Sequence, residues 1–137
     1  MHIDGGCHCG NITYEAEIDP EAVGICHCTD CQQLTGTAYR VNVRVRKEDL
    51  KMRGGKPKIY VKTAESGNTR AHAFCPECGT PLYSTSTDAD PQTFGLRVGT
   101  ARQRAQLPPK KQGWHRSAMS WTMNIDGLPK IPTQVAR

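Results

Sequence analysis

Seven cysteines lie in three short groups along the chain, namely CHC at 7–9, CHCTDC at 26–31 and CPEC at 75–78. Each group is next to turn-forming glycine or proline residues, so backbone turns could bring the sulfur atoms onto one ion. Cysteines two or three residues apart in a tight turn are typical ligands of tetrahedral zinc. Seven cysteines in 137 residues exceed ordinary usage, and none lies within a long apolar run. The sequence therefore predicts metal binding rather than buried structural thiols.

Two metal ions would divide the seven thiols into a set of four and a set of three. In one division, the 26–31 group holds one ion, and the 7–9 pair joins the 75–78 pair in a closed four-sulfur site. In the other, Cys28 and Cys31 join the 75–78 pair, which leaves the 7–9 pair and Cys26 over. Spacing alone does not separate these divisions. A site with three protein ligands keeps a fourth position for water or substrate.

The cysteine count and the first residues bear on the cellular compartment. An odd number of cysteines cannot pair completely into disulfides within one chain. The opening MHIDGGCHCG has neither the basic start nor the apolar run of a signal peptide, and no stretch approaches the length of a membrane span. We therefore expect a cytoplasmic, reducing location without a membrane partner, where clustered cysteines usually bind metal or do chemistry.

The formal net charge of +5 is a weak argument for nucleic-acid binding. Seven thiolates with two Zn²⁺ would reduce it to about +2, because thiolates rather than thiols are the ligands. Lysine and arginine are spread along the chain, with the densest patches at 44–53 and 107–112. A solvated surface explains this distribution, so a nucleic-acid partner is not expected.

Alternating apolar residues predict short β-strands over most of the chain. The clearest are at Ile12, Tyr14, Ala16 and Ile18, and at Val41, Val43 and Val45. Further strands are predicted at 58–63, 70–74, 81–85 and 93–99. Helix is limited to a turn near 29–34 and a short piece near 100–106, and the tail 126–137, with two prolines, is predicted to be irregular. No linker divides the chain, so we expect one domain over residues 1–137.

Four segments resemble the glutathione-dependent formaldehyde-activating enzyme family in order and spacing. They are GGCHCG, CHCTDCQQLTG, FCPECGTPLYS and GWHRSAMSW. The resemblance runs from about Gly5 to Pro132, and the seven-cysteine framework is its most specific part. The chain resembles the short homologues of the family, whose domain also occurs in a centromere-associated vertebrate protein. The resemblance implies a mainly β, Mss4-like, zinc-stapled β-sheet fold with little helix.

The resemblance also implies two Zn²⁺ sites and selects the first division of the thiols. The structural site would consist of Cys7, Cys9, Cys75 and Cys78, and the second, open site of Cys26, Cys28 and Cys31. The second site, being exposed, is expected to be partly empty at times. The implied activity is that of a zinc-dependent carbon–sulfur lyase resembling S-(hydroxymethyl)glutathione synthase. Its substrates would be a glutathione-type thiol and a formaldehyde-like carbonyl compound.

Several polar residues are candidates for assisting such chemistry. His27 lies between two predicted ligands and is a candidate proton donor. The candidate substrate-binding residues are Thr35, His115 and Arg116. Arginine suits the two carboxylates of glutathione, so Arg40, Arg44 and Arg97 are further candidates, although each is more simply explained as an exposed charge.

Two other classes of function compete with a lyase. A non-catalytic glutathione carrier, or a zinc-dependent scaffold, would use the same cysteines without accelerating a reaction. A redox enzyme working through the CTDC dithiol, or a methionine sulfoxide reductase, would need a reactive cysteine that is free of metal. Two zinc ions held by all seven thiols would leave no such cysteine.

Overall fold

A computed structural model of the protein describes residues 1–134. The strands are, in chain order, β1 (His2–Gly6), β2 (Ile12–Glu17), β3 (Val23–Cys26), β4 (Arg40–Arg46), β5 (Leu50–Gly54), β6 (Lys58–Thr63), β7 (Thr69–Phe74), β8 (Pro81–Ser86), β9 (Thr93–Arg97) and β10 (Lys111–Gly113). They form a three-stranded sheet in the order β1-β2-β5 and a seven-stranded sheet in the order β10-β3-β4-β9-β8-β7-β6. Neighbouring strands are antiparallel except for β10, which pairs parallel to β3.

One α-helix, α1 (Thr29–Thr35), occurs among residues 1–134, together with short 3₁₀ turns. The Cys28 side chain accepts a hydrogen bond from the Cys31 N–H at its start, and Asp30 places a carboxylate in the first turn. Gly36 ends the helix in the left-handed conformation, with φ of +69°, which suits glycine at this position. The 3₁₀ turns are Pro20–Ala22, Lys47–Asp49, Val98–Thr100, Arg104–Gln106, His115–Ser117, Ser120–Met123 and Ile125–Gly127.

The main core lies between the two sheets. Alternate residues of β2 and β4 point into it, so that Tyr14 and Ala16 of the small sheet pack with Val43 and Val45 of the large sheet. A second, smaller cluster of Cys7, Ile12, Cys75 and Leu82 extends this contact toward two cysteine-bearing turns. The apolar periodicity of the sequence therefore has its physical origin in burial of one face of each sheet.

The predicted mainly β, Mss4-like fold with little helix is confirmed by two sheets and a single α-helix in the described residues. The predicted strands correspond to β2, β4, β6, β7, β8 and β9, and the helical turn near 29–34 corresponds to α1. The helical piece predicted near 100–106 is wrong in type, because that segment contains only 3₁₀ turns. That residues 1–137 form one domain stays a prediction.

Four strands, β1, β3, β5 and β10, were not predicted. The irregular tail was predicted for 126–137; up to residue 134 it contains no strand, and residues 135–137 lie outside the described part of the chain. Within residues 1–134, every helix is too short and too polar to cross a membrane.

Candidate metal centre

Four cysteines from two hairpin turns converge at one end of the molecule. Cys7 and Cys9 lie in the turn between β1 and β2, and Cys75 and Cys78 in the turn between β7 and β8. Their four Sγ atoms lie within 4.8 Å of one another. The Ile12 N–H donates a hydrogen bond to Cys7 Sγ at 3.2 Å, and this bond stabilises the thiolate form of Cys7.

The other three cysteines meet where β3 runs into α1. The Sγ atoms of Cys26, Cys28 and Cys31 also lie within 4.8 Å of one another. Cys26 ends β3, Cys28 caps the helix and Cys31 lies in its first turn, so strand end and helix start fix their spacing. Among the described residues, no fourth histidine, cysteine or carboxylate donor joins this group.

This grouping is the first of the two divisions that the sequence allows. All donors in both groups are thiols, which are suitable ligands for Zn²⁺. The group of four can close a tetrahedral site, whereas the group of three leaves one position open. The residues present therefore fit a structural metal at the first group and a metal with an exchangeable ligand at the second.

Positive charge surrounds the group of three. Arg40, which pairs with Cys26 across β3 and β4, is only 5% exposed. Arg97, at the end of the neighbouring β9, is only 6% exposed. The sequence-based expectation that both arginines are exposed charges is therefore wrong: both lie on the face of the large sheet opposite the apolar core, and the part of that face beside α1 is covered. Arg44, four residues along β4, is exposed as expected.

The thiols of this group share protons unequally. A hydrogen bond from the Cys26 thiol, helped by Cys28 and by the nearby Arg40 guanidinium, lowers the pKa of Cys31 to about 5 against the opposing effect of burial. The same hydrogen bond, together with burial, raises the pKa of Cys26. A thiolate thus forms most readily at Cys31, which is the state that a metal ligand needs.

The glutathione-dependent formaldehyde-activating enzyme family matches residues 2–117 of the chain. The protein belongs to this family. A crystal structure of a Rhodobacter sphaeroides protein, a structural genomics target, is similar in fold with a TM-score of 0.60. The similarity covers 80% of this chain and 98% of that one at 20% sequence identity, so it bears on the fold alone. No curated protein matches the chain.

His27, the predicted proton donor of this family member, lies between two of the three thiols but is 1% exposed. Its Nε2 lies 2.7 Å from the Gln112 side-chain oxygen, which accepts the ring proton, and its Nδ1 has no hydrogen-bond partner in the described chain. The ring packs edge-on against Tyr39 and His115, with centroids 5.4 and 5.7 Å away. These contacts hold the cysteine loop; a catalytic role for His27 stays a prediction.

Segment 111–117 is hydrogen-bonded to the loop that carries Cys26, Cys28 and Cys31. β10 pairs with β3, and the Gly113 carbonyl accepts a hydrogen bond from the His27 N–H at 3.0 Å. The Gln32 side-chain amide donates to the carbonyls of both His27 and Ser117, each at 2.9 Å. The resemblance of GWHRSAMSW to the family pointed to this segment. It did not reveal that the segment contacts His27 and Gln32.

The predicted substrate-binding residues lie in different surroundings. The Thr35 hydroxyl donates to the Cys31 carbonyl at 2.7 Å within α1, so its proton is already engaged. His115 is exposed apart from its contact with His27. Arg116 lies over the Trp114 ring at 4.9 Å and forms an exposed ion pair with Glu65 at 3.5 Å. Substrate binding by these three residues stays a prediction.

Proposed function

We propose that the protein is a zinc-dependent carbon–sulfur lyase that forms and cleaves adducts of a glutathione-type thiol with formaldehyde or a similar carbonyl compound. The observation that supports this proposal is the convergence of three thiols, without a fourth donor among residues 1–134, in a chain of this family. A sealed four-thiol site alone would support only a structural role.

Cys7, Cys9, Cys75 and Cys78 would hold a structural Zn²⁺, and Cys26, Cys28 and Cys31 a second one. Bound there, the second ion would offer a fourth coordination position and lower the pKa of a substrate thiol that occupies it. We infer that glutathione enters with its sulfur toward this group of three.

The reaction itself is an addition that conserves all atoms. The substrate sulfur forms a bond to the carbonyl carbon, the C=O π pair moves onto oxygen, and the proton released by the thiol ends on that oxygen. Cleavage is the same step in reverse. The buried guanidinium of Arg40, next to Cys31, stabilises negative charge at the thiol group, and the surrounding arginines favour approach of the anionic glutathione.

The addition also needs a group that delivers a proton to the new oxygen atom. The Nδ1 atom of His27 is the ring nitrogen without a partner, so His27 is our candidate for holding the proton that returns to the oxygen. Thr35, His115 and Arg116 are retained as candidate substrate contacts.

Cys31→Ser provides the direct test. We expect wild-type protein to contain two zinc ions and to bind glutathione, and the Cys31→Ser protein to contain one zinc ion, keep its circular dichroism spectrum and lose glutathione binding. Isothermal titration calorimetry and metal analysis measure these quantities. Unchanged glutathione affinity in Cys31→Ser protein would refute the proposal.

Turnover separates a lyase from a glutathione carrier. The rate of exchange between formaldehyde and S-hydroxymethylglutathione, measured by NMR with ¹³C-formaldehyde, should rise in proportion to wild-type enzyme and not with Cys31→Ser protein. Saturable glutathione binding without a rate increase would instead assign the protein as a carrier.

A further inference from the structure

A cavity of about 320 Å³ lies on the face of the large sheet opposite the apolar core, beside the group of three thiols. Its polar lining is Arg40, His72 and Arg97, and its apolar lining includes Leu34, Tyr60 and Phe74. The volume is at the lower end of the range for small-molecule pockets, roughly 300–1,000 Å³. Since Arg40 also approaches Cys31, the cavity and the thiol group share one wall.

Three nitrogen atoms in this lining are buried without a hydrogen-bond partner. They are Arg40 Nε, Arg97 Nε and His72 Nε2. Within residues 1–134 such atoms are few, the fourth being His27 Nδ1. A buried N–H group without an acceptor costs free energy, so three of them around one cavity call for a hydrogen-bond acceptor inside it.

The two arginines also lack a carboxylate partner among the described residues. Arg97 donates only to neutral groups, the side chains of Asn42 and Ser84 and the Gly95 carbonyl, and it contacts His72 Nδ1 at 3.0 Å. Asp30, at the start of α1, is occupied by Lys62 at 2.9 Å. Arg40 and Arg97 are therefore buried cations whose only nearby negative groups are thiolates.

The thiolates do not balance these cations. Three thiolates holding one Zn²⁺ carry a single net negative charge, whereas two arginines carry two positive charges. Burial, with the charge of Arg40, lowers the pKa of Arg97 to about 9, so the guanidinium stays protonated at neutral pH at a cost in free energy. These groups therefore carry one excess positive charge whenever no substrate thiolate occupies the fourth zinc position.

A purely structural role explains only part of this arrangement. Arg97 Nη1 links β4, β8 and β9 through Asn42, Ser84 and Gly95, and a neutral side chain of similar length could supply such links. The Nε atoms, the unpartnered His72 Nε2 and the charge of Arg40 remain unused by the fold.

We propose that this cavity binds a carboxylate group, which accepts hydrogen bonds from Arg40, Arg97 and His72, as a subsite next to the three thiols. The planar guanidinium matches the two oxygens of a carboxylate. That the carboxylate belongs to a molecule reacting at the thiols rests on the proposed function; that the cavity binds a carboxylate does not.

The carboxylate has two possible sources. It can be a carboxylate of glutathione, held while its sulfur lies at the thiol group. It can instead belong to the carbonyl compound, in which case the second substrate is a small 2-oxo acid rather than formaldehyde. Both sources predict the same subsite, and the choice of ligand in the experiment distinguishes them.

Arg40→Gln removes one of the two buried cations, and Arg46→Gln is the matched control, since Arg46 lies on the same strand but is exposed and outside the cavity. We expect Arg40→Gln to weaken binding of the carboxylate ligand about 10- to 100-fold, the loss for a charged hydrogen bond. Arg46→Gln should stay within about twofold of wild type. His72→Asn serves as a second variant, because asparagine can still accept from Arg97 Nη2 but lacks the Nε2 donor. Zinc content is measured for each.

Three ligands identify the source, each titrated by calorimetry. If glutathione supplies the carboxylate, Arg40→Gln weakens glutathione binding, and one ethyl ester of glutathione binds wild type as weakly as glutathione binds Arg40→Gln. If the carbonyl compound supplies it, glutathione affinity is unchanged and glyoxylate affinity falls in Arg40→Gln. If the Arg40→Gln protein loses zinc, the ligand affinities of the His72→Asn protein are used for the test instead.

S-methylglutathione separates this proposal from the proposed function, since it keeps both carboxylates and has no thiol. Binding of S-methylglutathione or glyoxylate that depends on Arg40 supports the subsite even if Cys31→Ser shows that no thiol is captured. If neither variant changes the affinity for glutathione, S-methylglutathione or glyoxylate, the subsite is overturned, whatever the outcome at the thiols.

Discussion

Individual polar residues organise the face of the large sheet that borders the three thiols. His72 on β7, Ser84 on β8 and Arg97 on β9 are neighbours across the strands and are joined by hydrogen bonds. In most sheets the covered face is filled by apolar side chains, because burying a polar group without a partner is costly. Here one face packs the apolar core and the opposite face carries buried cations.

His72 should make the stability of the protein depend on pH. Burial, together with the positive charges of Arg97, Arg40, Lys62 and Arg70, lowers the pKa of His72 from 6.5 to about 4. Between these values the unfolded chain binds a proton that the folded chain does not, so the free energy of unfolding falls as the pH drops from 6.5 to 4. We expect about 1–2 kcal/mol of this fall to come from His72, allowing for its partial exposure.

The measurement is urea unfolding of wild-type and His72→Asn protein at several pH values. Acid also releases zinc from thiolates in both proteins, so the difference between their slopes is the informative quantity. The wild-type slope should be the steeper one. Parallel slopes between pH 6.5 and 4 would show that His72 is not held neutral by its surroundings.

At the scale of secondary structure, α1 and β10 together shape the cysteine loop. Cys28 caps the helix and Cys31 lies in its first turn, and β10 covers the loop through hydrogen bonds with β3 and His27. Gln32 connects the two, since its amide donates to His27 and Ser117. His27 and Gln112 are 85 residues apart in the sequence, and so are Gln32 and Ser117. The shape of the open site therefore depends on a segment that is distant in the sequence.

Replacing Gln32 with alanine tests this connection. Alanine is the better helix former, so α1 itself should not weaken, but two hydrogen bonds to the loop and to segment 111–117 are lost. We expect amide hydrogen exchange of residues 111–117 to become about five- to tenfold faster. Gln33→Ala, at the adjacent exposed position, is the matched control and should leave the exchange unchanged. Equal protection in all three proteins would contradict the role given to Gln32.

The sequence predicts those elements whose burial is periodic, and it misses those that depend on distant partners. β2 and β4 alternate apolar and polar residues over six or seven positions and are recognisable without a structure. β10 is exposed at all three residues and is a strand only because β3 lies beside it. β1 ends in two glycines, and Gly5 is needed because a Cβ there would lie 2.1 Å from the Thr100 carbonyl oxygen, a contact that no local pattern reveals.

The same distinction holds for the site. The grouping of cysteines into turns is a local pattern, so their spacing alone predicted metal binding, although two divisions remained open. The buried state of Arg40 and Arg97 depends on which part of one sheet face is covered, since Arg44 on the same face is exposed. An arginine in an alternating strand has the same local pattern whether its face meets water or a helix, so these residues were assigned to the surface.

At the scale of the whole molecule, the group of four thiols connects the two sheets. Cys7 and Cys9 belong to the β1-β2 hairpin of the small sheet, and Cys75 and Cys78 to the β7-β8 hairpin of the large one. The neighbouring apolar cluster is small, with Ile12 and Leu82 as its largest members. A metal ion here would hold together two hairpins that share little other core.

The two groups of thiols should therefore differ in their effect on stability. Structural zinc contributes roughly 10–16 kcal/mol in small domains, as much as the entire stability of many proteins. Cys78→Ser, which removes a ligand between the sheets, should abolish cooperative thermal unfolding or lower the midpoint by more than about 15 °C. Cys28→Ser removes a ligand from a site confined to one strand end and one helix, where the metal joins no distant elements, so a decrease of only a few degrees is expected.

Differential scanning calorimetry with metal analysis on the same samples measures both effects. Each variant should retain one zinc ion, which controls for nonspecific metal loss, and serine replaces sulfur at nearly the same size. Equal destabilisation by the two substitutions would mean that both ions support the fold, and an open site reserved for substrate would then lose its physical basis. Unequal destabilisation separates the two functions of zinc in one chain: where metal joins distant elements it stabilises the fold, and where its ligands are all local it can exchange a ligand without unfolding the protein.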